Sequence, residues 1–140
     1  MSDTAEDVIS KVIENWNKHD LAALVALYAP DVVAWNPTRG EFKGREALER
    51  VLETAHKAFP DDQTLVRNAV IQSDRVAIEG TYTRTFAGVL ELAGRTIQPT
   101  NKNYRLPFAT FLRVDKDGLI SEWRDYWDAL SFLRQLGIMP

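Results

Sequence analysis

The sequence predicts an α+β fold: three N-terminal helices packed on a strongly curved, mostly antiparallel sheet, with a short C-terminal helix. Two observations support this prediction. In roughly the first 60 residues, apolar side chains recur every three or four positions, as in amphipathic helices. Further along, apolar and polar residues alternate, as in half-buried strands. Helices followed by antiparallel strands are typical of the α+β class, and a curved sheet covered by helices leaves a concave interior.

Helix predictions rest on apolar stripes bounded by start and stop signals. Thr4 and Asp7 resemble a capping box for the first helix, and Asp20 can cap the second. Gly137 is a good stop for the last one. The predicted helices cover residues 4–19, 20–28, 45–59 and about 129–136.

Strand predictions rest on the two-residue alternation and on the turn residues between the runs. The predicted strands cover residues 32–36, 64–72, 75–86, 104–114 and 119–127. Residues 38–44 and 87–103 are predicted to be loops, the second with a strand-like stretch at 89–97. The chain, residues 1–140, is interpreted as one domain.

Composition excludes several classes of protein. The chain has 140 residues, 45% hydrophobic and 26% charged, with a net charge of -3 and scattered bases, which argues against a nucleic-acid binder. There is no cysteine, and hence no disulfide or thiolate site. The apolar runs are too short to span a membrane and no export signal is recognisable, so a cytoplasmic location is expected. His19 and His56 lack partners at metal-ligand spacing, so both are expected at the surface and no metal or organic cofactor is expected.

The most informative stretch is EWRDYWD, residues 122–128. In a strand, either Trp123, Asp125 and Trp127 face inward, or Glu122, Arg124 and Tyr126 do. The first set is favoured because it buries one charge and the second buries two. Asp125 then lies between two tryptophans, where burial raises the pKa of its carboxyl and a nearby Arg84 would lower it. Such a carboxylate is a candidate general base or acid. It could equally be an anchor for a tyrosine, an arginine or a turn.

The same alternation selects further candidate residues on the inward face. Arg84 could pair with Asp125 or bind an anionic or carbonyl oxygen of a ligand. Tyr82 could donate a hydrogen bond to a developing enolate, or simply pack. Asn36 precedes a proline, and shaping a turn is its favoured role. The residues expected to hold a substrate or to wall the pocket are Trp123, Trp127, Phe108, Leu106, Trp35, Asn36, Tyr28 and Trp16.

The chain resembles the SnoaL-like polyketide cyclase branch of the nuclear transport factor 2-like superfamily. The resemblance is carried by residues 16–37, 42–61, 73–88 and 118–140, and the ending DALSFLRQLG is its most specific part. It implies a cone-shaped fold with one deep pocket, in a protein that is commonly a dimer. In these cyclases an aspartate on the last long strand removes a proton from an activated carbon and starts an intramolecular aldol closure. Asp125 matches that position best, whereas Asp128 is better explained as a helix cap.

A second resemblance, to limonene epoxide hydrolase, is centred on WRDYWD. Asp125 and Asn36 match two positions of that enzyme's site. Gly80, Tyr82 and Ala34 stand where its arginine, second aspartate and tyrosine are expected. The incomplete set argues against epoxide opening.

Three functional hypotheses follow. The first is a cofactor-independent enzyme that cyclises or isomerises a hydrophobic, carbonyl-bearing small molecule. The second is a non-catalytic small-ligand binder of the same shape, favoured by the missing second acid. The third is a dimeric interaction module that uses Thr81, Thr83 and Phe111 on the outward face. The expected partners are a hydrophobic small molecule and a second copy of the chain, but neither a nucleic acid nor a membrane.

Overall fold

A computed structural model describes residues 4–138. The helices are α1 (Ala5–Lys18), α2 (Leu21–Val25), α3 (Arg45–Ala58) and α4 (Ala129–Gln135). The strands are β1 (Tyr28–Asn36), β2 (Gly40–Lys43), β3 (Gln63–Gln72), β4 (Arg75–Thr85), β5 (Leu90–Leu92), β6 (Arg95–Ile97), β7 (Asn103–Val114) and β8 (Ile120–Tyr126).

The main sheet has six strands in the order β2-β1-β8-β7-β4-β3. Every neighbouring pair is antiparallel except β1 and β8, which run parallel. β5 and β6 form a separate two-stranded hairpin. The α+β class and the mostly antiparallel sheet predicted from the sequence are therefore confirmed.

The helix signals are largely confirmed, with one correction. Thr4 and Asp7 form the capping box of α1, and the Asp20 side chain caps α2 by accepting from the Ala23 backbone N–H. However, α2 ends early, and Tyr28 begins β1 instead of ending the helix. Tyr28 is paired with Ile120 in β8 and fully buried. The spacing of the apolar residues before it suits a helix or a strand, and the pairing with β8 determines that Tyr28 belongs to a strand.

Both predicted loops contain short strands. Residues 40–43 form β2, which pairs with the end of β1 and closes a hairpin through Thr38 and Arg39. The stretch at 89–97 contains β5 and β6, as its strand-like pattern indicated. The position of Gly88 in this second loop is tightly restricted, because a Cβ there would lie 2.0 Å from the Lys57 carbonyl oxygen.

The core lies between the helices and one face of the sheet, and the predicted inward faces of β4 and β7 are confirmed. Gly80 on β4 marks the point where β3 carries a bulge between Val66 and Asn68. A Cβ at Gly80 would lie 2.1 Å from the Leu65 carbonyl oxygen, so only glycine permits this close approach.

Within residues 4–138, no helix is long and apolar enough to cross a membrane.

Candidate active site

An aromatic-lined cavity lies between α1, α3 and the inner face of the sheet. The centre of a water molecule can move through about 110 Å³ of it. Its wall combines side chains of α1 and α3 with those of the inner strand faces, the β5–β6 hairpin and the start of α4. The wall includes Val12, Ile13, Trp16, Val51, Leu52, Ala55, Phe59, Tyr82, Leu90, Leu92, Leu106, Phe108, Thr110, Trp123, Asp125, Trp127 and Phe132. Such a largely apolar space with few polar groups is typical of small-molecule sites.

Asp125 contributes a partly buried carboxyl to this wall. Thr110 is its cross-strand neighbour on β7, and the fully buried Thr110 hydroxyl donates a short hydrogen bond to Asp125 Oδ1. Burial raises the pKa of Asp125 from 3.8 to about 6, although hydrogen bonds from Thr110 and Trp123 and the positive charge of Arg84 oppose the rise. The carboxyl is therefore able to exchange a proton near neutral pH.

The raised pKa has a defined effect on stability. A carboxyl whose pKa is higher in the folded protein binds its proton more tightly there than in the unfolded chain. Its contribution to stability is full below pH 3.8 and is lost as the pH rises to about 6. Ionised Asp125 thus lowers the free energy of unfolding, by up to about 3 kcal/mol for a pKa rise of this size.

Arg84 does not pair with Asp125, which corrects one of the sequence-based interpretations. Its Nε and Nη2 donate to the two carboxylate oxygens of Asp62 at 3.1 and 2.8 Å. Both side chains of this ion pair are buried. Burial lowers the pKa of Arg84, but Asp62 and nearby tyrosines outweigh it, so the pKa lies above its ordinary value and the guanidinium stays charged. Burial raises the pKa of Asp62 despite its partner.

Tyr82 extends over the wall beside Asp125. Its ring stacks on that of Phe108, with centroids 4.1 Å apart, and the Phe108 ring lies over Gly80, its cross-strand partner. Burial, followed by the charge of Asp125, raises the pKa of Tyr82 well above its ordinary value. Its hydroxyl therefore keeps its proton and remains a hydrogen-bond donor at neutral pH.

Most of the other predicted pocket residues do reach the cavity wall, including Trp123, Trp127, Trp16, Phe108 and Leu106. Asn36 also lies there, but its Oδ1 accepts hydrogen bonds from the backbone N–H groups of Thr38 and Arg39 and from the Thr38 hydroxyl, so it shapes the turn as favoured.

Two predicted residues lie away from the cavity wall. Trp35 packs against Tyr126 on the outer face of the sheet, with ring centroids 5.1 Å apart. The expectation that Trp35 holds a substrate or walls the pocket was wrong, because Trp35 and the inward Asn36 are consecutive and must face opposite sides of the strand. Tyr28 is buried behind Trp123, with centroids 5.6 Å apart.

The two histidines are not the isolated surface residues that were expected. Their rings stack with centroids 4.1 Å apart where α3 meets the end of α1, and His56 also packs on Trp16. His19 Nε2 lies 2.8 Å from the Asp62 carbonyl oxygen. Burial, His19 and Arg84 lower the pKa of His56 to about 4, so it is neutral at physiological pH. No group of three potential metal-ligating side chains occurs in the described part of the chain.

Three residues of the site were missed from the sequence. The sequence analysis assigned no role to Thr110 or to Asp62, which lies just after the third helix. Arg39, on the β1–β2 turn, also lies on the cavity wall. A buried arginine on β4 needs an acidic partner, and this was the available signal for Asp62.

Comparison with known proteins agrees with this architecture. Residues 9–123 match the SnoaL-like domain family, and the chain therefore belongs to that family. AclR, a candidate hydroxylase from Streptomyces galilaeus, is 29% identical with a TM-score of 0.80, over 97% of this chain and 82% of that one. IdmH, a candidate polyketide cyclase from Streptomyces antibioticus, is 28% identical with a TM-score of 0.76, over 95% and 98%.

Structural similarity extends to more distant relatives. A candidate SnoaL-like polyketide cyclase from Jannaschia sp. CCS1 has a TM-score of 0.83 at 16% identity, over 97% of this chain and 93% of that one. At this identity the likeness concerns the fold alone, and it supports the curved, cone-shaped α+β architecture. No curated protein matches the chain significantly.

Breaking the Arg84–Asp62 pair should destabilise the protein strongly. Asp62→Asn leaves the buried guanidinium without a counter-charge, which we expect to lower the free energy of unfolding by about 3–5 kcal/mol. The matched control is Asp74→Asn, which breaks the exposed pair with Arg113 and should change stability little. Urea unfolding of both variants measures the difference. Equal, small losses would show that the buried pair is not important for stability.

Proposed function

We propose that this protein is a cofactor-independent enzyme in which Asp125 transfers a proton to and from a hydrophobic, carbonyl-bearing small molecule. The observation that supports this most directly is the environment of Asp125. Among the described residues it is the only Asp or Glu on the cavity wall, and it has no cationic partner within salt-bridge distance. A hydroxyl hydrogen bond orients it, and its pKa of about 6 suits a general base.

The proposed chemistry begins with removal of a proton next to a substrate carbonyl. Ionised Asp125 takes this proton, and the electron pair of the C–H bond moves to form an enolate. In an aldol closure, the enolate carbon attacks a second carbonyl of the same molecule, whose π electrons move to oxygen as an alkoxide that takes the proton. In an isomerisation, the conjugated enolate is instead protonated at a different carbon. Asp125 returns the proton in either case, so no net proton is consumed.

The other wall residues have supporting roles in this proposal. The Thr110 hydroxyl donates to Oδ1 of Asp125, and Trp123 is a second hydrogen-bond partner, so both orient the carboxylate towards the substrate. The protonated Tyr82 hydroxyl is the donor best suited to the enolate oxygen, since Arg84 is already bound to Asp62. Trp123, Trp127 and their neighbours hold the apolar part of the substrate and exclude water.

A non-catalytic ligand binder is the second candidate. It is favoured because the cavity wall carries no second acid among residues 4–138, and Asp62 is bound by Arg84 away from that wall. Epoxide opening has less support, since Asn36 uses its carbonyl oxygen in the β1–β2 turn and Gly80 and Tyr82 replace the required charged residues.

Proton abstraction can be tested without knowing the natural substrate. The exchange of the acidic C1 protons of 2-tetralone for deuterium, followed by NMR, should be accelerated by the wild type. Asp125→Asn should lose about 10²- to 10⁴-fold of this acceleration while still binding the ketone. For the wild type, the rate should rise with pH through a midpoint of about 6, as Asp125 ionises.

Two measurements control this test. Asp128→Asn changes a carboxylate that caps α4, and it should leave the exchange rate unchanged because asparagine also caps helices. Asp125→Asn should be at least as stable as the wild type at pH 7, so lost activity cannot be attributed to unfolding. Exchange at the wild-type rate in Asp125→Asn would contradict the proposed base. Loss of binding together with exchange would favour a binding role for Asp125.

We also propose that the protein forms a homodimer through the outer face of the sheet. One cross-strand row on this face comprises Val70, Ala77, Phe111, Arg124 and Trp35. Val70 and Phe111 are 67% and 46% exposed, as expected for an apolar patch that lacks its partner. Arg113 and Glu122 are cross-strand neighbours in the next row of this face. They give the patch both signs of charge, which suits a two-fold symmetric contact.

Phe111→Glu should therefore shift the protein from dimer to monomer, because it places a charge in the centre of the apolar patch. Leu130→Glu is the matched control, since Leu130 on α4 is similarly exposed but lies outside the patch. Size-exclusion chromatography with light scattering gives the mass. A wild type that is monomeric at high micromolar concentration would contradict this proposal.

A further inference from the structure

Arg39 is a charged residue on the cavity wall that the proposed proton transfer does not use. It lies on the β1–β2 turn, where Asn36 Oδ1 accepts from its backbone N–H at 2.8 Å. Asn36 is 7% exposed, so a buried side chain holds this turn in place. Arg39 Nη2 also reaches the backbone carbonyl of Glu91 on the β5–β6 hairpin at 3.4 Å. The guanidinium thus lies where the turn and the hairpin meet at the cavity rim.

The Arg39 guanidinium has no carboxylate within salt-bridge distance among residues 4–138. The two nearest acidic side chains along these elements are engaged elsewhere. The Glu91 carboxylate accepts from the Thr96 hydroxyl at 2.9 and 3.0 Å, and Glu41 lies 4.0 Å from Lys43. Arg39 as a whole is exposed, so its guanidinium is accessible from solvent, and the partial burial of the side chain lowers its pKa.

A planar guanidinium with free donors at the rim of an apolar cavity is suited to a carboxylate, which it can bind through two parallel hydrogen bonds. The other arginine on the wall, Arg84, already makes this type of contact with Asp62. Leu90 and Leu92 of the hairpin and Phe108 of β7 supply the apolar surface of the same cavity.

We infer that Arg39 determines substrate specificity, and that the cavity takes an apolar molecule carrying a carboxylate that Arg39 binds. The apolar part of such a ligand occupies the aromatic cavity. This inference rests on the proposed function only in that both use the same cavity. It adds the chemical class of the ligand, an apolar carboxylic acid, which the proton-transfer chemistry leaves open.

A matched pair of probes tests the inference, namely 2-naphthoate and 2-naphthamide, which share shape and differ in charge. Calorimetric titration at pH 7 should show the wild type binding the carboxylate at least about tenfold more tightly than the amide. Arg39→Gln should lose this preference, mainly through weaker carboxylate binding. Arg39→Lys should keep part of it, because the charge remains while the planar fork is lost.

The control is Arg95→Gln, which removes an exposed positive charge from the same hairpin but not from the cavity wall. It should leave both affinities unchanged. The inference is overturned if Arg39→Gln keeps the wild-type preference, if Arg95→Gln loses it equally, or if the wild type binds the two probes equally well or binds neither.

This result is separable from the test of Asp125. A carboxylate preference that depends on Arg39, found together with deuterium exchange that does not depend on Asp125, would refute the proposed base and leave the ligand class intact. Exchange that depends on Asp125, without a preference that depends on Arg39, would refute only the ligand class.

Discussion

The pairing of β7 with β8 places Thr110 directly opposite Asp125 on the inner face of the sheet, and the candidate site depends on this register. A slip of one residue would turn Arg124 and Tyr126 into the cavity and Asp125 towards solvent. The tight turn between the two strands helps to fix the register. In that turn, Asp115 Oδ1 accepts from two backbone N–H groups, and Gly118 adopts a positive φ of 79°.

Within the described part of the chain, Asp62 and Asp125 are acidic side chains in the interior whose partners give them different chemistry. Asp62 is held by two hydrogen bonds from Arg84, so its charge is balanced and its position fixed. Asp125 has only hydrogen-bond donors as direct partners, and burial is therefore the dominant influence on its pKa. Arg84 is close enough to lower that pKa somewhat but does not contact the carboxylate. The fold thus separates an acid that stabilises the structure from one that is free to react.

Much of this arrangement could be predicted from the sequence, because one face of each long strand is buried and alternation then identifies it. The inward position of Asp125 follows from counting buried charges in β8. The predictions from sequence failed where the local residue pattern fits two structures or carries no information about a distant partner. Tyr28 was assigned to a helix because the apolar run before it is short and fits either structure. Trp35 and Asn36, which are consecutive at the end of a strand, were both placed at the pocket. A buried Arg84 indicates that an acidic partner is needed, but that partner lies 22 positions away and the local sequence does not show which acid it is.

Burial in the aromatic cavity should make the Asp125 carboxyl titrate near neutral pH, and the proposed function depends on this property. The most direct measurement is the ¹³C chemical shift of that carboxyl followed by NMR as a function of pH, with Asp125→Asn used to assign the signal. We expect a midpoint of about 6 for Asp125. A midpoint at or below about 4, the value of an ordinary aspartate, would contradict it.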